Sequence, residues 1–229
     1  MSIYVLVTIA LVFLFLFLFI FKIAKSIIKT LLFFFILTFI LAGVFSYLIY
    51  SDFKDLTANI NQKPSILIII KENEPLSMVQ MSTNNENSMI ELTPSKYDEI
   101  KNNITKGKID DLLKEYYKII LFKMEMLEEA PLASATIAEK NITKEQAKEA
   151  INSNNPKKTL NLEEVENPNN VFKMIIFLSY VPKDELESNA FFFKQYQKGN
   201  IIIYKETIIF KFIKNIPYFL IEEQLKKAL

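Results

Sequence analysis

The chain has 229 residues, 27 basic against 26 acidic side chains, 51% apolar residues and no His, Cys or Trp; every basic residue is Lys. These absences exclude disulfides, thiolate nucleophiles, Cys- or His-ligated metal sites and any chemistry that needs an imidazole. With three Gly in all, no Gly-rich loop for a dinucleotide or phosphate is written.

Ile3 to Phe21 and Leu31 to Tyr50 are apolar runs without a charge. Each has about the 20 residues with which a helix crosses roughly 30 Å of hydrocarbon. The second holds fourteen Leu, Ile, Phe or Val, which at about −0.3 to −0.6 kcal/mol each favour insertion by roughly 4 to 8 kcal/mol. The first lacks the charged start and small-residue cleavage site of a signal peptide. The expectation is a two-helix transmembrane hairpin over 1–50, with helices at about 3–21 and 31–50 and a loop at 22–30. Lys22, Lys25 and Lys29 share one face of that loop and set the topology by the positive-inside rule, leaving the rest of the chain extracytoplasmic. Ala42, Gly43 and Ser46 on the second helix, with Thr8 and Ala10 on the first, are small enough for close helix packing. Neither run carries an Asp, Glu or Lys, which argues against an ion or proton pathway.

Residues 51–64 read as a polar juxtamembrane stalk or short helix. The remaining residues, 65–229, read as an α+β domain, near neutral and without a basic field for nucleic acid. Ser65 to Lys71 is apolar and rich in Ile, which predicts a buried strand. Glu72 to Pro75 makes a turn, Leu76 to Met81 pairs back, and Met89 to Leu92 is a third short strand. Thr93-Pro94 starts a helix with Tyr97, Ile100 and Ile104 on one face. Gly107 ends it, and a second helix begins near Lys108. Tyr116 to Met124 reads as a strand, with a continued helix as the alternative.

Thr143 and Gln146 form a capping box for a helix over 144–152. The Asn- and Pro-rich stretch 152–170 is a loop. Val171 to Val181 reads as a buried strand, and Pro182 to Glu187 as a helix start. Phe191–Tyr196 and Asn200–Lys205 suggest a hairpin, with a helix ending at Gly199 as the competitor. Pro217 to Leu229 is an amphipathic helix. The sum is a membrane hairpin followed by one mixed α/β soluble domain with a largely antiparallel sheet.

The side chains left for chemistry are Asp, Glu, Lys, Ser, Thr and Tyr. Ser77-Met78 resembles the Ser-Met of bacterial signal peptidases over two residues; the proline and the Arg-Gly-Asp stretch of that family are absent, and no role is carried over. The acid pairs Asp110-Asp111, Glu128-Glu129 and Glu163-Glu164 with Glu166 lack the spacing of a calcium loop, and no cofactor is expected. Asn103 and Asn141 each begin an Asn-x-Thr sequon. Tyr116-Tyr117 and Phe191 to Phe193 serve a core or a partner surface. The expected function is non-catalytic: a membrane-anchored binding or scaffolding protein, with the lipid bilayer and another membrane or envelope protein, or a second copy, as partners. The alternatives are an accessory subunit of a larger membrane assembly and a membrane-tethered Ser/Lys or carboxylate hydrolase.

Overall fold

The computed structural model describes residues 9–18, 27–59, 63–81 and 88–215, and the chain divides into two compact units, Met1–Ser51 and Asp52–Leu229. Residues 9–18 are helical (α1), and α2 spans Ile27–Asn59. Within the first unit the Phe17 ring of α1 packs 5.7 Å from Phe33 and 5.2 Å from Phe34 of α2.

Among the described residues no helix is long and apolar enough to cross a membrane. This overturns the two-pass transmembrane hairpin and the membrane anchoring inferred from it. The lipid-bilayer and membrane-protein partners and the cell-membrane location lose their support with it. The polar residues 51–59 form the end of α2.

In chain order the second unit continues with β1 (Ser65–Lys71), β2 (Glu74–Met81), β3 (Met89–Glu91), α3 (Pro94–Thr105), α4 (Ile109–Leu112), β4 (Ile119–Lys123) and α5 (Glu125–Glu129). It then runs β5 (Ser134–Ile137), β6 (Lys140–Thr143), α6 (Lys144–Asn152), α7 (Pro156–Leu160), α8 (Asn169–Leu178), α9 (Glu185–Lys198), β7 (Ile201–Tyr204) and α10 (Ile208–Asn215). Five strands form one sheet in the order β3-β2-β1-β4-β7, while β5 and β6 pair separately. In the large sheet β1 and β4 are parallel and the other neighbours antiparallel.

The continuous apolar run of β1 follows from its central place, because a strand covered on both faces has no polar side. Ile66, Ile68 and Ile70 point one way and join Met78, Ile119, Leu121 and the α3–α4 residues Ile100 and Leu112. Leu67 and Ile69 point the other way, with Val79 and Phe122, into a larger core built from α5 to α9. The strand alternation thus sorts one sequence into two cores, and the domain has helices on both faces of the sheet.

The strands β1 to β4 and helices α3, α4 and α6 stand where the sequence places them. The Thr93 hydroxyl lies 3.3 Å from that of Ser95 and makes no cap bond to α3. Val171 to Val181 is a correction: it is the helix α8, not a strand. An apolar run of this length reads the same in a buried strand and a buried helix, and α8 buries almost every side. The hairpin over 191–205 is a second correction. The chain stays helical to Lys198, Gly199 takes φ 76° as the left-handed residue that ends α9, and β7 follows. The loop 152–170 contains α7, whose first turn is capped by the Asn155 side chain accepting from the Lys158 N–H at 3.2 Å. The helix expected over 217–229 lies outside the described residues.

Candidate functional site

The antiparallel pairing of β4 with β7 sets Ile120 opposite Ile203 and Phe122 opposite Ile201. All four project from the sheet face that carries the larger core. α9 crosses above them. Its Asn189, Phe192, Phe193 and Tyr196 are spaced i, i+3, i+4 and i+7, which places them on one helical face, and α10 adds Phe210. Between these layers lies a cavity of about 520 Å³, lined by the residues just named. Tyr196 and Phe210 meet edge to face with centroids 5.9 Å apart and bound the cavity on the α10 side. The Tyr196 hydroxyl donates to the Glu206 carboxylate; burial first, and that carboxylate second, push the phenol well above its ordinary value.

Lys118 immediately precedes β4 and lines a separate cleft with Asp55, Lys63, Tyr117, Lys205 and Thr207. Its Nζ donates 2.6 Å to the Lys205 carbonyl and lies 4.9 Å from the Tyr117 ring centroid and 5.6 Å from that of Phe210. The residue is 5% exposed, and burial lowers its pKa, only partly countered by the charge of Asp55. That carboxylate accepts from the Tyr117 hydroxyl at 3.1 Å. Lys214, exposed on α10 one turn beyond Phe210, holds its Nζ 5.8 Å from the Tyr196 ring centroid.

A second cleft of about 560 Å³ is polar, with Glu91, Tyr97, Asp98, Asn170 and Lys173 on its walls. Asn170, in the first turn of α8, donates its side-chain amide 3.0 Å and its backbone N–H 3.4 Å to one Glu91 oxygen. Lys173, one turn on, donates 3.2 Å to the Leu76 carbonyl. Leu76 neighbours Ser77, so the fold brings Ser77 close to a buried lysine. The Ser77 hydroxyl nevertheless donates 2.7 Å to the Asn170 carbonyl and is 0% exposed. It pins β2 to α8 and presents no nucleophile in this arrangement.

The other sequence candidates are scattered. Asp111 pairs with Lys114, Glu128 with Lys148 and Glu129 with Lys198; Glu163, Glu164 and Glu166 are exposed. No group of three acidic residues that could hold a metal ion occurs among the described residues. Asn103 is half-buried on α3 and Asn141 exposed on β6. Ala10, Ala42 and Gly43 are exposed on α1 and α2. Thr8, Lys22 and Lys25 lie outside the described residues, and of Ser46 and Lys29 the backbone alone is described. Tyr116 and Phe191 belong to the two cores, whereas Phe192 and Phe193 face the cavity. Sequence reasoning missed Lys118 and Phe210. The signal for Lys118 was a lone cation inside Tyr-Tyr-Lys-Ile-Ile-Leu-Phe, legible once that segment is a strand.

No protein-family model matches this chain, and no curated protein or solved structure matches it either. The functional reading therefore rests on the site.

Proposed function

We propose that the unit Asp52–Leu229 is a ligand-binding domain and that the cavity between β4–β7 and α9–α10 is its site. The observation that carries the reading is the cavity itself. Its size falls within the roughly 300–1,000 Å³ of small-molecule sites, and such sites are lined mostly by apolar and aromatic side chains with few polar groups. Here Asn189 and the Tyr196 hydroxyl are the polar groups among the lining residues, and the hydroxyl is already engaged by Glu206.

The neutral fluorophore N-phenyl-1-naphthylamine tests this on the full chain. Ile203→Trp fills the space between β7 and α9, and the variant should lose most of the fluorescence gain that the wild type produces, with its circular dichroism unchanged. Equal fluorescence from a folded Ile203→Trp variant, or none from the wild type, would remove the cavity as the site.

A further inference from the structure

We infer that the polar cleft beside β2, β3, α3 and the start of α8 binds a free α-amino acid as its zwitterion, with the carboxylate on Lys173 and the ammonium on Glu91 and Asp98. The site is independent of the cavity under α9, and no residue lines both. Its volume of about 560 Å³ lies in the range of small-molecule sites. Walls that carry charges of both signs fit a small ligand that does the same.

Lys173 is the buried half of the argument. It sits in the middle of α8 and lines the cleft, yet the residue is 8% exposed. An ammonium group has three donors, and the Leu76 carbonyl takes one of them at 3.2 Å. No carboxylate stands within salt-bridge distance of it among the described residues. Burial alone lowers its pKa, with no neighbouring acid acting the other way. A cation buried without a countercharge costs stability, and a role in the cleft accounts for keeping one there. A ligand carboxylate supplies the countercharge and accepts from the donors that Leu76 leaves.

The rest of the lining is rich in acceptors. Glu91 and Asp98 are exposed and form no ion pair among the described residues, and Asn170 engages one Glu91 oxygen. Three lining amides have their nitrogen end committed. Asn152 donates 2.7 Å to the Lys148 carbonyl, Asn169 3.2 Å to the Asn154 carbonyl and Asn170 3.0 Å to Glu91. Their oxygens are the ends left for a donor. A simple carboxylate would share the cleft with two negative charges, and a simple amine would leave Lys173 unmatched. An amino acid answers both. The lysine and the acids line one cleft without pairing, which leaves the ligand's place between them.

Calorimetric titration of the full chain with the common L-amino acids tests this. At least one should bind. Its amine analogue, without the carboxylate, and its acid analogue, without the ammonium, should each bind about tenfold to a hundredfold more weakly, the loss expected for a charged hydrogen bond. Lys173→Met should bind the amino acid no better than the wild type binds the amine. Glu91→Gln with Asp98→Asn alters two exposed side chains, so the fold is kept, and should bind it no better than the wild type binds the acid. Ile203→Trp, which alters the other cavity, should bind it like the wild type. Absence of binding by every amino acid would overturn the assignment. So would an affinity that survives either Lys173→Met or the double substitution. Loss of binding in a folded Ile203→Trp variant would overturn it too, and would place the amino acid under α9.

Discussion

Tyr180 donates its hydroxyl proton to the backbone oxygen of Ile142 across 2.6 Å, and the tyrosine is 1% exposed. The bond ties the turn after α8 to β6, just ahead of the residue that caps α6. Burial, reinforced by the charge of Glu145, pushes the phenol to about 12 from an ordinary 10. The folded state thus holds a proton that the unfolded state gives up between those two values. That part of the stability is complete below pH 10 and is lost as the pH rises to 12.

Tyr180→Phe leaves the Ile142 carbonyl buried without this partner and should cost about 1–2 kcal/mol. For a domain of this size that lowers Tm by roughly 2–4 °C per kcal/mol. Thermal melts of both proteins at pH 8 and at steps from pH 10 to 12 check two statements together. The variant should melt lower at pH 8, and the gap should narrow as the wild type loses its proton. A constant gap across the range would show that Tyr180 does not titrate in that window.

The capping box at α6 is the local motif that passed most directly from sequence to structure. Gln146 N–H donates 3.3 Å to the Thr143 hydroxyl, and Thr143 N–H donates 3.0 Å to the Gln146 side chain. Thr143→Ala removes one of these and should destabilise by about 1 kcal/mol, measured by urea unfolding. Thr143→Ser keeps the acceptor and should stay within a few tenths of a kcal/mol. Equal losses in both would assign the effect to the methyl group rather than to the cap.

What the residues made legible follows from how local each signal is. β1 announces itself because a strand covered on both faces needs an unbroken apolar run, and β4 because its Ile and Phe, and the Tyr pair just before it, are crowded at helical spacing and comfortable at strand spacing. α8 misreads as a strand for the same reason in reverse. Its neighbours on both sides, β2 and α6, bury almost every position, so the period of 3.6 is erased. α9 shows the limit of turn signals: Gly199 ends either a helix or a hairpin, and tertiary packing of Phe192 and Tyr196 over the sheet decides between them. The candidate site was less legible still, since it joins β4, α9, β7 and α10, whose pairing is long-range. The apolar runs of 1–50 suggest two spans by hydropathy, whereas among the described residues no helix is long and apolar enough to cross a membrane.

The hairpin β5–β6 was invisible in the sequence because its turn residues are the wrong ones. Ala138 and Glu139 sit at φ 45° and 63°, a two-residue loop with both central residues left-handed. Asn-Gly is the pair that signals such a loop, and each non-Gly residue there carries a strain of roughly 1–2 kcal/mol. Ala138→Asn with Glu139→Gly should therefore stabilise the domain by about 1–2 kcal/mol, read as a higher urea midpoint at unchanged slope. A lower midpoint would mean that these side chains make a contribution that outweighs their backbone strain.

Lys173 is, with Lys118, one of two lysines buried among the described residues. It is 8% exposed, sits in the middle of α8 and bonds the Leu76 carbonyl. Burial lowers its pKa from the ordinary 10.5. The sign follows from proton counting. Between the depressed folded value and 10.5 the unfolded chain binds the proton and the folded chain does not, so stability from this group is present above 10.5 and is lost as the pH falls through the folded value. Below 10.5 the buried group therefore costs stability, as an incompletely hydrated ammonium or as a proton given up on folding. Lys173→Met removes the charge at similar volume and should raise Tm at pH 7, in the direction seen when buried ionic groups are replaced by apolar ones. The advantage should shrink as both proteins are melted at increasing pH up to 10.5, because there the wild-type lysine becomes neutral. A variant that melts lower than the wild type at pH 7 would mean that the Leu76 bond and solvent in the cleft fully compensate the buried charge. An advantage independent of pH would mean that packing, not charge, is what methionine improves.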